Sequence, residues 1–461
     1  MFVYLLVFVV TAYLYWHFVH KRRNLPPGPI PIPLFGNSHE ILKEPPGETV
    51  FARWRKQYGD VYTYWMGSMP VVAVTDYKLI VETFQRDGET YAGRPKLNDF
   101  NKMIKGHSSG GGVFMTDGDE WRNQRRFALT VFRDFGLGKD LMQERVLEEV
   151  KTIFENVDAD VASGLKEHDM YNHTDLAVGS IINNLLFGYR FHGKKKPEFA
   201  DLKSRVQTFL TTMGHPLVFM SMPSPYFYKR LPFFKQKLED CIETSEYLLD
   251  FYRERIQEHK KNFNIDEEPT DYVAAFLKEM NKKNNTNEHH YFTDRQLALM
   301  CFDLWIAGQE TTSNSLAWAF AFMLHNLDVL NRCQKELDRV IGSDRIVTMS
   351  DKPNLHYCNA TINEIQRYSS PKVPYNFNVS DPTERFLDND RKLKKSEELI
   401  PFSIGKRICL GEGLARMELF LFFVNIINRY NLIPGRDLPN LTRKFGVTAN
   451  IDRYTFKVEK R

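Results

Sequence analysis

The first twenty or so residues constrain the architecture of this chain more than any other part of its sequence. The run "FVYLLVFVVTAYLYWHFV", Phe2–Val19, has no formal charge and is apolar on every face of a helix. At about 1.5 Å per residue, such a helix nearly spans the hydrocarbon core of a bilayer. Lys21, Arg22 and Arg23 follow the run instead of preceding it. This order predicts an uncleaved transmembrane signal anchor, residues 1–23, with the rest of the chain in the cytosol.

Two alternatives to the anchor are less favoured. A cleaved signal peptide has its positive charge before the apolar run and small residues after it, which is the reverse of the order found here. A helix buried in a soluble domain is the least favoured alternative, because the run is apolar on every face.

The rest of the chain divides into a short spacer and one large domain. Residues 24–36 include "LPPGPIPIPLFG", and their prolines predict an extended, stiff spacer. Residues 37–461 contain no linker or repeat, so we expect one domain. The net charge of +4 is too small to indicate nucleic-acid binding. Five scattered cysteines without a C-x-x-C pair argue against a disulfide scaffold or a zinc site.

The residue patterns predict a mainly α fold with minor β structure. "VYTYWM" and "PVVAVT" around "GSM" predict a hairpin, Val61–Thr75. The tail "GVTANIDRYTFKVEK" is typical of strands. Thr293 and Gln296 form a predicted capping box at the start of the longest helix. The predicted helices are Glu120–Arg133, Leu176–Phe187, Phe233–Lys260, Thr293–Asn326, Asp328–Val340 and Asn359–Tyr368.

An aromatic, proline-broken segment, Pro216–Phe234, has three interpretations. It is part of the core, a flexible lid over an apolar substrate, or a second contact with the membrane. The pattern alone leaves all three open.

A single cysteine, Cys409, lies in "PFSIGKRICLGEG" just before an apolar helix. At a helix N-terminus the macrodipole and free N–H groups stabilise a thiolate. Arg407 supplies a nearby cation, and Gly405 and Gly411 let the backbone pass close to a flat group. A thiolate surrounded by N–H donors suits a haem iron. The alternative is a buried structural thiol.

The pattern Phe402-x-x-Gly405-x-Arg407-x-Cys409-x-Gly411 resembles the ligand loop of the cytochromes P450, the haem-thiolate monooxygenases. "VGSIINNLLFGYRF" and "INEIQRY" resemble the microsomal, drug- and lipid-oxidising branch of that family. The resemblance extends from the spacer to the C-terminus. It implies the cytochrome P450 fold, with Cys409 as the axial ligand of haem b (iron protoporphyrin IX). It also implies that Arg407 pairs with a haem propionate and that Phe402 and Gly411 adjoin the haem.

The segment "AGQETT", Ala307–Thr312, interrupts the longest helix with a glycine and a threonine pair, which do not favour helix formation. Ala307, Glu310 and Thr311 fall on one helix face by their spacing, and a carboxylate beside a hydroxyl can relay protons. The segment resembles the oxygen-binding groove of the same family. The resemblance implies that Ala307 and Gly308 line the haem and that Glu310 and Thr311 deliver protons. The alternative is that these residues of low helix propensity are simply tolerated within a core helix and have no functional role.

Two further groups of residues follow from the resemblance. Glu364 and Arg367 in "NEIQRYSS" resemble the structural Glu-x-x-Arg helix, which implies Arg385 as their later partner. Trp121 and Arg125 in "EWRNQRRFAL" are implied to contact a haem propionate. A basic face near them would receive an acidic electron donor; its members are Arg122, Arg126, Arg133 and Lys406.

The resemblance implies a monooxygenase on the endoplasmic reticulum membrane, with a single span and a cytosolic catalytic domain. It would insert one atom of O2 into an apolar organic substrate: a xenobiotic, a fatty acid or a steroid-like molecule. Electrons would come from NADPH through a separate reductase, because the chain has no nucleotide-binding glycine loop; cytochrome b5 is a further implied donor. The alternatives are an impaired, haem-poor family member and a non-enzymatic anchored binder of apolar ligands.

The chain departs from the family pattern at one place. Only "YSSPKVPYNFNVSDPTE" separates Arg367 from Arg385, where the family has strands of the small sheet, a short helix and a basic residue that reaches a propionate. We therefore expect part of the small sheet to be missing and one edge of the hairpin to be unpaired. From this shortening we predict weak haem binding and little activity.

Overall fold

The computed structural model describes residues 1–45, 47–136, 140–286, 289–342, 345–369, 383–444 and 446–461. The described chain is mainly helical, and its α-helices are, in order, α1 (Phe2–Phe18), α2 (Ser38–Lys43), α3 (Glu48–Tyr58), α4 (Tyr77–Ile80), α5 (Asn98–Lys105), α6 (Gly118–Asp134), α7 (Asp140–Ala162), α8 (Met170–Phe187), α9 (Lys196–Gly214), α10 (Pro216–Ser221), α11 (Pro225–Tyr228), α12 (Pro232–Lys261), α13 (Tyr272–Asn284), α14 (Asp294–His325), α15 (Leu327–Val340), α16 (His356–Ser369), α17 (Thr383–Phe386) and α18 (Glu412–Arg429). Shorter helical segments are a π-helix, Val81–Arg86, and 3-10 turns at His20–Arg22, Gly193–Lys195, Lys352–Asn354 and Gly405–Arg407.

The six predicted helices are all present, with differences at their ends. Helix α8 begins earlier than predicted, because Asp169 caps it by accepting a hydrogen bond from Asn172 N–H at 3.2 Å. The predicted capping box of α14 is only half formed. Thr293 Oγ1 accepts from Gln296 N–H at 3.1 Å, but the Gln296 side chain bonds both backbone groups of Gly112 instead.

Helix α14 is the centre of the core and packs against α8, α12 and α18. Its fully buried aromatic side chains include Trp305, Trp318 and Phe320. Burial of a large apolar side chain contributes roughly 1.5–3 kcal/mol to stability. Gly308 packs closely on α8, because a Cβ there would lie 2.9 Å from Ile182 Cδ1 and would require that side chain to shift.

The β structure consists of two small antiparallel pairs. Strands β1 (Val61–Met66) and β2 (Met69–Val74) form the predicted hairpin, with Val61 opposite Val74 and Met66 opposite Met69. In the tail, only β4 (Lys457–Lys460) is a strand, and it pairs with β3 (Tyr430–Ile433).

The outer edge of β2 has no partner strand among the described residues. The side chain of Val72 on this strand is 44% exposed. The described residues therefore agree with the expected open edge of the hairpin. Residues 370–382, which contain most of the shortened segment, lie outside the described part of the chain.

The proline-rich segment packs along β1 and is not a free spacer. Thr63 N–H donates to Pro27 O at 2.9 Å, and Asn37 N–H donates to Trp65 O at 2.7 Å. Gly28 lies so close to the strand that a Cβ would be 1.8 Å from Thr63 O. The prolines make this segment stiff, and β1 gives it a fixed path.

Helix α1 projects from the domain with an almost entirely exposed apolar surface. Of its residues only His17 is buried, and its Nε2 lies 3.0 Å from Pro31 O. The segment Phe2–Arg22 is long and apolar enough, by length and composition, to cross a membrane. This exposure excludes the alternative of a buried helix in a soluble domain.

The aromatic segment Pro216–Phe234 folds into α10, α11 and the start of α12. Its inner residues, among them Tyr228 and Phe234, belong to the core, so the core interpretation holds for them. Phe227 and Phe233 point outward, and Phe233 is 82% exposed. Tyr228 Oη donates to Leu34 O at 3.1 Å, which ties the segment to the proline-rich stretch.

Candidate functional site

The loop that carries Cys409 is a tight turn packed on the π-helix Val81–Arg86. Cys409 N–H donates to Phe402 O at 2.9 Å, which closes the turn. Gly405 has a φ of +76°, and a Cβ there would lie 1.7 Å from Phe84 O. Gly405 is therefore required by the approach of the protein's own backbone and not by a flat ligand.

The thiol of Cys409 is exposed, whereas the other cysteines are all buried. This excludes the interpretation of Cys409 as a buried structural thiol. Gly411 is the N-cap of α18, so Cys409 lies just before the helix N-terminus, as expected. Partial desolvation raises the pKa of the thiol, while the Gly411 N–H and the Arg125 guanidinium act to lower it.

Two arginines fasten this loop to α6 and to the segment before it. Arg125 Nη2 donates to Ile408 O at 2.5 Å. Arg407 donates from Nε to Ala92 O and from Nη2 to Thr116 O, each at 2.7 Å. The Arg407 guanidinium lies 3.8 Å from the ring centroid of Trp121, which is buried. The structure thus brings Trp121, Arg125 and Arg407 together next to Cys409.

A third arginine, Arg94, joins this cluster and was missed in the sequence. Burial, together with the charges of Arg94 and Arg125, lowers the pKa of Arg407 to about 10. The negative charge of the nearby Asp117 acts to raise the pKa of Arg407. Arg94 is the arginine of "YAGRP", and neither spacing nor periodicity there indicates a site, because the segment reaches the loop only through the fold.

The middle of α14 supplies an open surface in an otherwise buried helix. Ala307 and Thr311 are exposed, although most of their neighbours in the helix are buried. Thr311 Oγ1 donates to Ala307 O at 2.8 Å. Gly308 lies instead against Ile182 of α8, so the structure separates it from the surface formed by Ala307 and Thr311.

These residues fit a haem group by their chemistry. The cationic cluster of Arg94, Arg125 and Arg407 lacks enough acidic partners among the described residues and suits a pair of carboxylates. An exposed thiol next to that cluster suits an iron ligand. Gly411 has open space where a Cβ would be, and Phe402 is half-buried under the Arg416 guanidinium, 4.7 Å from its ring centroid.

The carboxylate of Glu310 lies in a buried ionic cluster instead of beside Ala307 and Thr311. Its Oε2 is 2.5 Å from Lys203 Nζ, and Lys203 also pairs with Asp175 at 2.9 Å. Burial by itself lowers the pKa of Lys203, but the two carboxylates outweigh it and raise that pKa. The structure therefore separates Glu310 from the face on which the helical spacing placed it.

Lys203 was also missed in the sequence, although a signal was present. It lies four residues after Phe199 and three before Val206, both of which are buried. A single lysine on the apolar face of a helix needs buried carboxylates near it, and α8 and α14 provide them.

The structure brings Glu364, Arg367 and Arg385 together as the resemblance implies. Arg367 binds both carboxylate oxygens of Glu364 at 2.7 Å. Arg385 Nη1 reaches Glu364 Oε1 at 3.3 Å despite the short connection. The connection is therefore long enough to close the triad.

The basic face near α6 is partly neutralised. Glu89 pairs with both Arg122 and Lys406, each at 2.9 Å. Arg133 lies 3.7 Å from Asp134, and Arg126 has no carboxylate partner in the described ranges. The face remains basic around Arg126.

Comparison with known proteins agrees with this geometry. The family model "Cytochrome P450" matches residues 26–379 and 373–458. Cytochrome P450 2H2 of Gallus gallus is 32% identical over 97% of this chain and 95% of its own length. Cytochrome P450 2C8 of Homo sapiens and probable cytochrome P450 cyp-35D1 of Caenorhabditis elegans are each 32% identical over 92% of this chain and 91% of their own length.

The comparisons also locate the shortening. The alignment with cytochrome P450 2H2 extends over 494 positions, whereas this chain has 461 residues. The two parts of the family match meet at residues 373–379, between the Glu-x-x-Arg helix and the cysteine loop. The exposed cysteine loop, the arginine cluster and these matches lead to one conclusion: the chain belongs to the cytochrome P450 family of haem-thiolate monooxygenases, in its microsomal branch, and is shortened at this point.

Proposed function

We propose that this protein inserts one atom of O2 into an apolar organic substrate, such as a xenobiotic, a fatty acid or a steroid-like molecule. The observation that carries the proposal is the exposed Cys409 thiol beside the cluster of Arg94, Arg125 and Arg407. When bound, haem b supplies the oxygen activation, and a thiolate ligand favours O–O cleavage.

In this proposal Cys409 provides the thiolate that binds the haem iron. Trp121, Arg125 and Arg407 hold the propionates by charge-assisted hydrogen bonds. Arg94 belongs to the same cluster, because its charge already affects the pKa of Arg407. Phe402, Ala307 and Gly411 complete the site that the family pattern implies, whereas Gly308 packs against Ile182 of α8.

Thr311 is the proposed proton donor on the open face of α14. Its hydroxyl oxygen is held by the bond to Ala307 O and can accept a proton from solvent while it donates its own. Glu310 is the proposed carboxylate of this relay. Its pairing with Lys203 orients it away from the open face, so in this proposal it acts by positioning the helix that carries Thr311.

The electrons are proposed to come from NADPH through a separate flavoprotein reductase, with cytochrome b5 as a second donor. The basic face of Arg122, Arg126, Arg133 and Lys406 lies on the loop and helix that carry Arg407 and Arg125. An acidic donor bound there approaches the cysteine loop from outside.

The proposed location is the endoplasmic reticulum membrane, with a single span and a cytosolic domain. The exposed apolar helix α1 and the basic residues that follow it support this arrangement. Removal of residues 1–23 is expected to release the protein from membranes in high salt. If tight association persists, the exposed Phe227 and Phe233 form an anchor of their own.

The absorption spectrum of the reduced, carbon monoxide-bound protein tests the proposal. We expect a thiolate-type band for the unaltered chain and its loss in Cys409→Ala, with Cys358→Ala as the control that keeps it. A thiolate-type band that survives in Cys409→Ala contradicts the proposed ligand. The absence of any haem band in the unaltered chain would favour an anchored binder of apolar ligands.

The open edge of β2 favours a second candidate, a member of the family with weak haem binding. Within the described residues its outer edge has no partner strand and Val72 is exposed, which is consistent with a missing part of the small sheet. In this case the chain keeps the fold and the site but holds the haem poorly.

A further inference from the structure

A buried amide on helix α14 joins the Glu310 carboxylate to the C-terminal part of the chain. The amide belongs to Asn314, which is 6% exposed. Its Nδ2 donates hydrogen bonds to Glu310 Oε1 at 3.1 Å and to Asn450 Oδ1 at 2.7 Å. Asn450 Oδ1 also accepts a hydrogen bond from Thr448 Oγ1 at 2.7 Å. Because an amide buried without partners is costly, these bonds fix both the Asn314 side chain and the segment that it binds.

That segment is a turn, residues 446–450, which we call the C-terminal turn. It is closed by Lys444 N–H, which donates to Asn450 O at 2.9 Å. A second residue of α14 also holds it, because Trp318 Nε1 donates to Ala449 O at 2.7 Å. The C-terminal turn is therefore attached to α14 at two positions about one helical turn apart.

The opposite side of the C-terminal turn packs on the end of α9. A Cβ on Gly214, the last residue of α9, would lie 2.6 Å from Gly446 C and 2.8 Å from Val447 N. The same helix is tied to α14 by the ion pair of Lys203 and Glu310. The C-terminal turn is thus enclosed between two helices that are themselves joined in the interior.

The C-terminal turn lies beside the open face of α14. Asn314 follows Thr311 by three residues, so the attachment of the turn is roughly 4.5 Å further along the helix axis. Three residues correspond to about 300° around a helix, which places Asn314 on the face next to that of Thr311. Val447 in the turn is apolar and 46% exposed. The turn thus adjoins the space next to Thr311 and presents an apolar side chain.

We propose that Asn314 is a positioning residue that determines which carbon of the substrate is oxidised. It does not contact the substrate itself. Its bond to Asn450 holds the C-terminal turn, and with it Val447, at a fixed place beside Thr311. An apolar molecule offers many similar C–H bonds, and a fixed apolar wall selects the orientation in which it binds. This inference rests on the proposed monooxygenase function, and two experiments separate the two.

Hydrogen exchange followed by mass spectrometry, with the full chain in detergent, tests whether Asn314 holds the turn. The amides observed are those of Lys444 and Asn450, which donate to Asn450 O and Thr448 O. We expect both to exchange at least roughly tenfold faster in Asn314→Ala. Asn326→Ala is the matched control, because Asn326 Nδ2 donates to Phe322 O of α14 at 2.9 Å. Unchanged exchange in Asn314→Ala overturns the proposal whether or not the chain is active.

The distribution of products from dodecanoic acid tests the role of Asn314 in the reaction. We expect the unaltered chain to favour one hydroxylated position. Asn314→Ala should lower the excess of that product over its neighbours by roughly threefold or more, with KM raised and kcat largely kept. Asn450→Ala removes the same bond from the other side and should give the same shift. The double variant should add little, because the two residues act through one contact.

Three outcomes contradict this role. An identical product distribution in the unaltered chain and both single variants shows that the turn does not guide the substrate. A lower kcat at an unchanged distribution shows a general structural role instead. Absence of product from the unaltered chain refutes the proposed function and with it this role, while the exchange experiment still decides whether Asn314 holds the turn. Circular dichroism confirms that each variant is folded.

Discussion

Lys203 Nζ lies 2.5 Å from Glu310 Oε2 in the interior between α9 and α14, and the two side chains are 7% and 2% exposed. This pair ties the helix that carries Thr311 to a neighbouring helix, and Asp175 of α8 completes the cluster. The one charged residue of the "AGQETT" segment, Glu310, is therefore part of the structural core as well as of the proposed proton relay.

Replacement of Lys203 is expected to destabilise the protein strongly. Lys203→Met leaves Asp175 and Glu310 buried without a cation, and the loss of one partner from a buried pair costs about 3–5 kcal/mol. Urea unfolding followed by circular dichroism measures the change. As a control, Lys195→Met breaks the exposed ion pair with Glu198 and should lower the free energy of unfolding by less than about 1 kcal/mol. A similar effect of the two substitutions would contradict the structural role of the cluster.

Glu418 is expected to make stability depend on pH. Complete burial raises its pKa to about 8, and the hydrogen bond with Thr312 only partly opposes this. The folded state holds a proton between pH 4.5 and about 8 that the unfolded state has lost. Stability therefore falls by about 1.4 kcal/mol per pH unit as the pH rises through this window.

Glu418→Gln tests this dependence directly, because the amide cannot ionise. Unfolding midpoints in urea at pH 6 and pH 8 should differ less in the variant than in the unaltered chain. The stability of the variant relative to the unaltered chain should also be greatest at pH 8. An unchanged pH dependence would show that Glu418 does not titrate in this range.

The two arginines of the triad are expected to differ in importance. Arg367 is 16% exposed and binds Glu364 through two hydrogen bonds, whereas Arg385 is 38% exposed and lies 3.3 Å away. Arg367→Ala should therefore lower the free energy of unfolding by about 3 kcal/mol, and Arg385→Ala should lower it by about 1 kcal/mol. Chemical unfolding of both variants in parallel checks the order, and the reverse order would assign the main contact to Arg385.

Loss of the Thr311 hydroxyl is expected to impair the reaction while haem binding is retained. In Thr311→Ala the rate of product formation should fall by on the order of a hundredfold, with more of the NADPH converted to hydrogen peroxide. Thr208→Ala is a matched control, because Thr208 is exposed on α9 and makes the same bond, to Ser204 O at 3.0 Å. An unchanged ratio of product to NADPH in Thr311→Ala would remove Thr311 from the relay.

Restoration of the shortened segment is expected to increase haem binding. A family-like insert between Tyr375 and Asp381 would supply strands for the open edge of β2 and a basic residue for a propionate. The insert variant should purify with several times more haem than the chain as it stands. Haem per protein and turnover are measured side by side, and equal values would show that the missing strands are dispensable.

Much of this protein is readable from sequence because the signal is local. The apolar run Phe2–Val19, the periodicity of α14 and α18 and the spacing around Cys409 each lie within one stretch of chain. The composition of a helix determines whether it can span a membrane, and glycine and other turn residues determine where the chain forms a tight loop. These features predicted the fold class, the anchor, the cysteine loop and its arginine.

The tertiary structure decided which distant segments meet. In the folded chain Gln296 is hydrogen-bonded to Gly112, and Glu310 forms an ion pair with Lys203. Arg94 lies beside Arg407, and the proline-rich segment packs along β1. Helical spacing indicates a shared face but not the partner that approaches it, and Glu310 turned toward a buried lysine because an unpaired carboxylate in the core is costly. Such pairings depend on packing between segments far apart in the chain, and local sequence patterns do not contain that information.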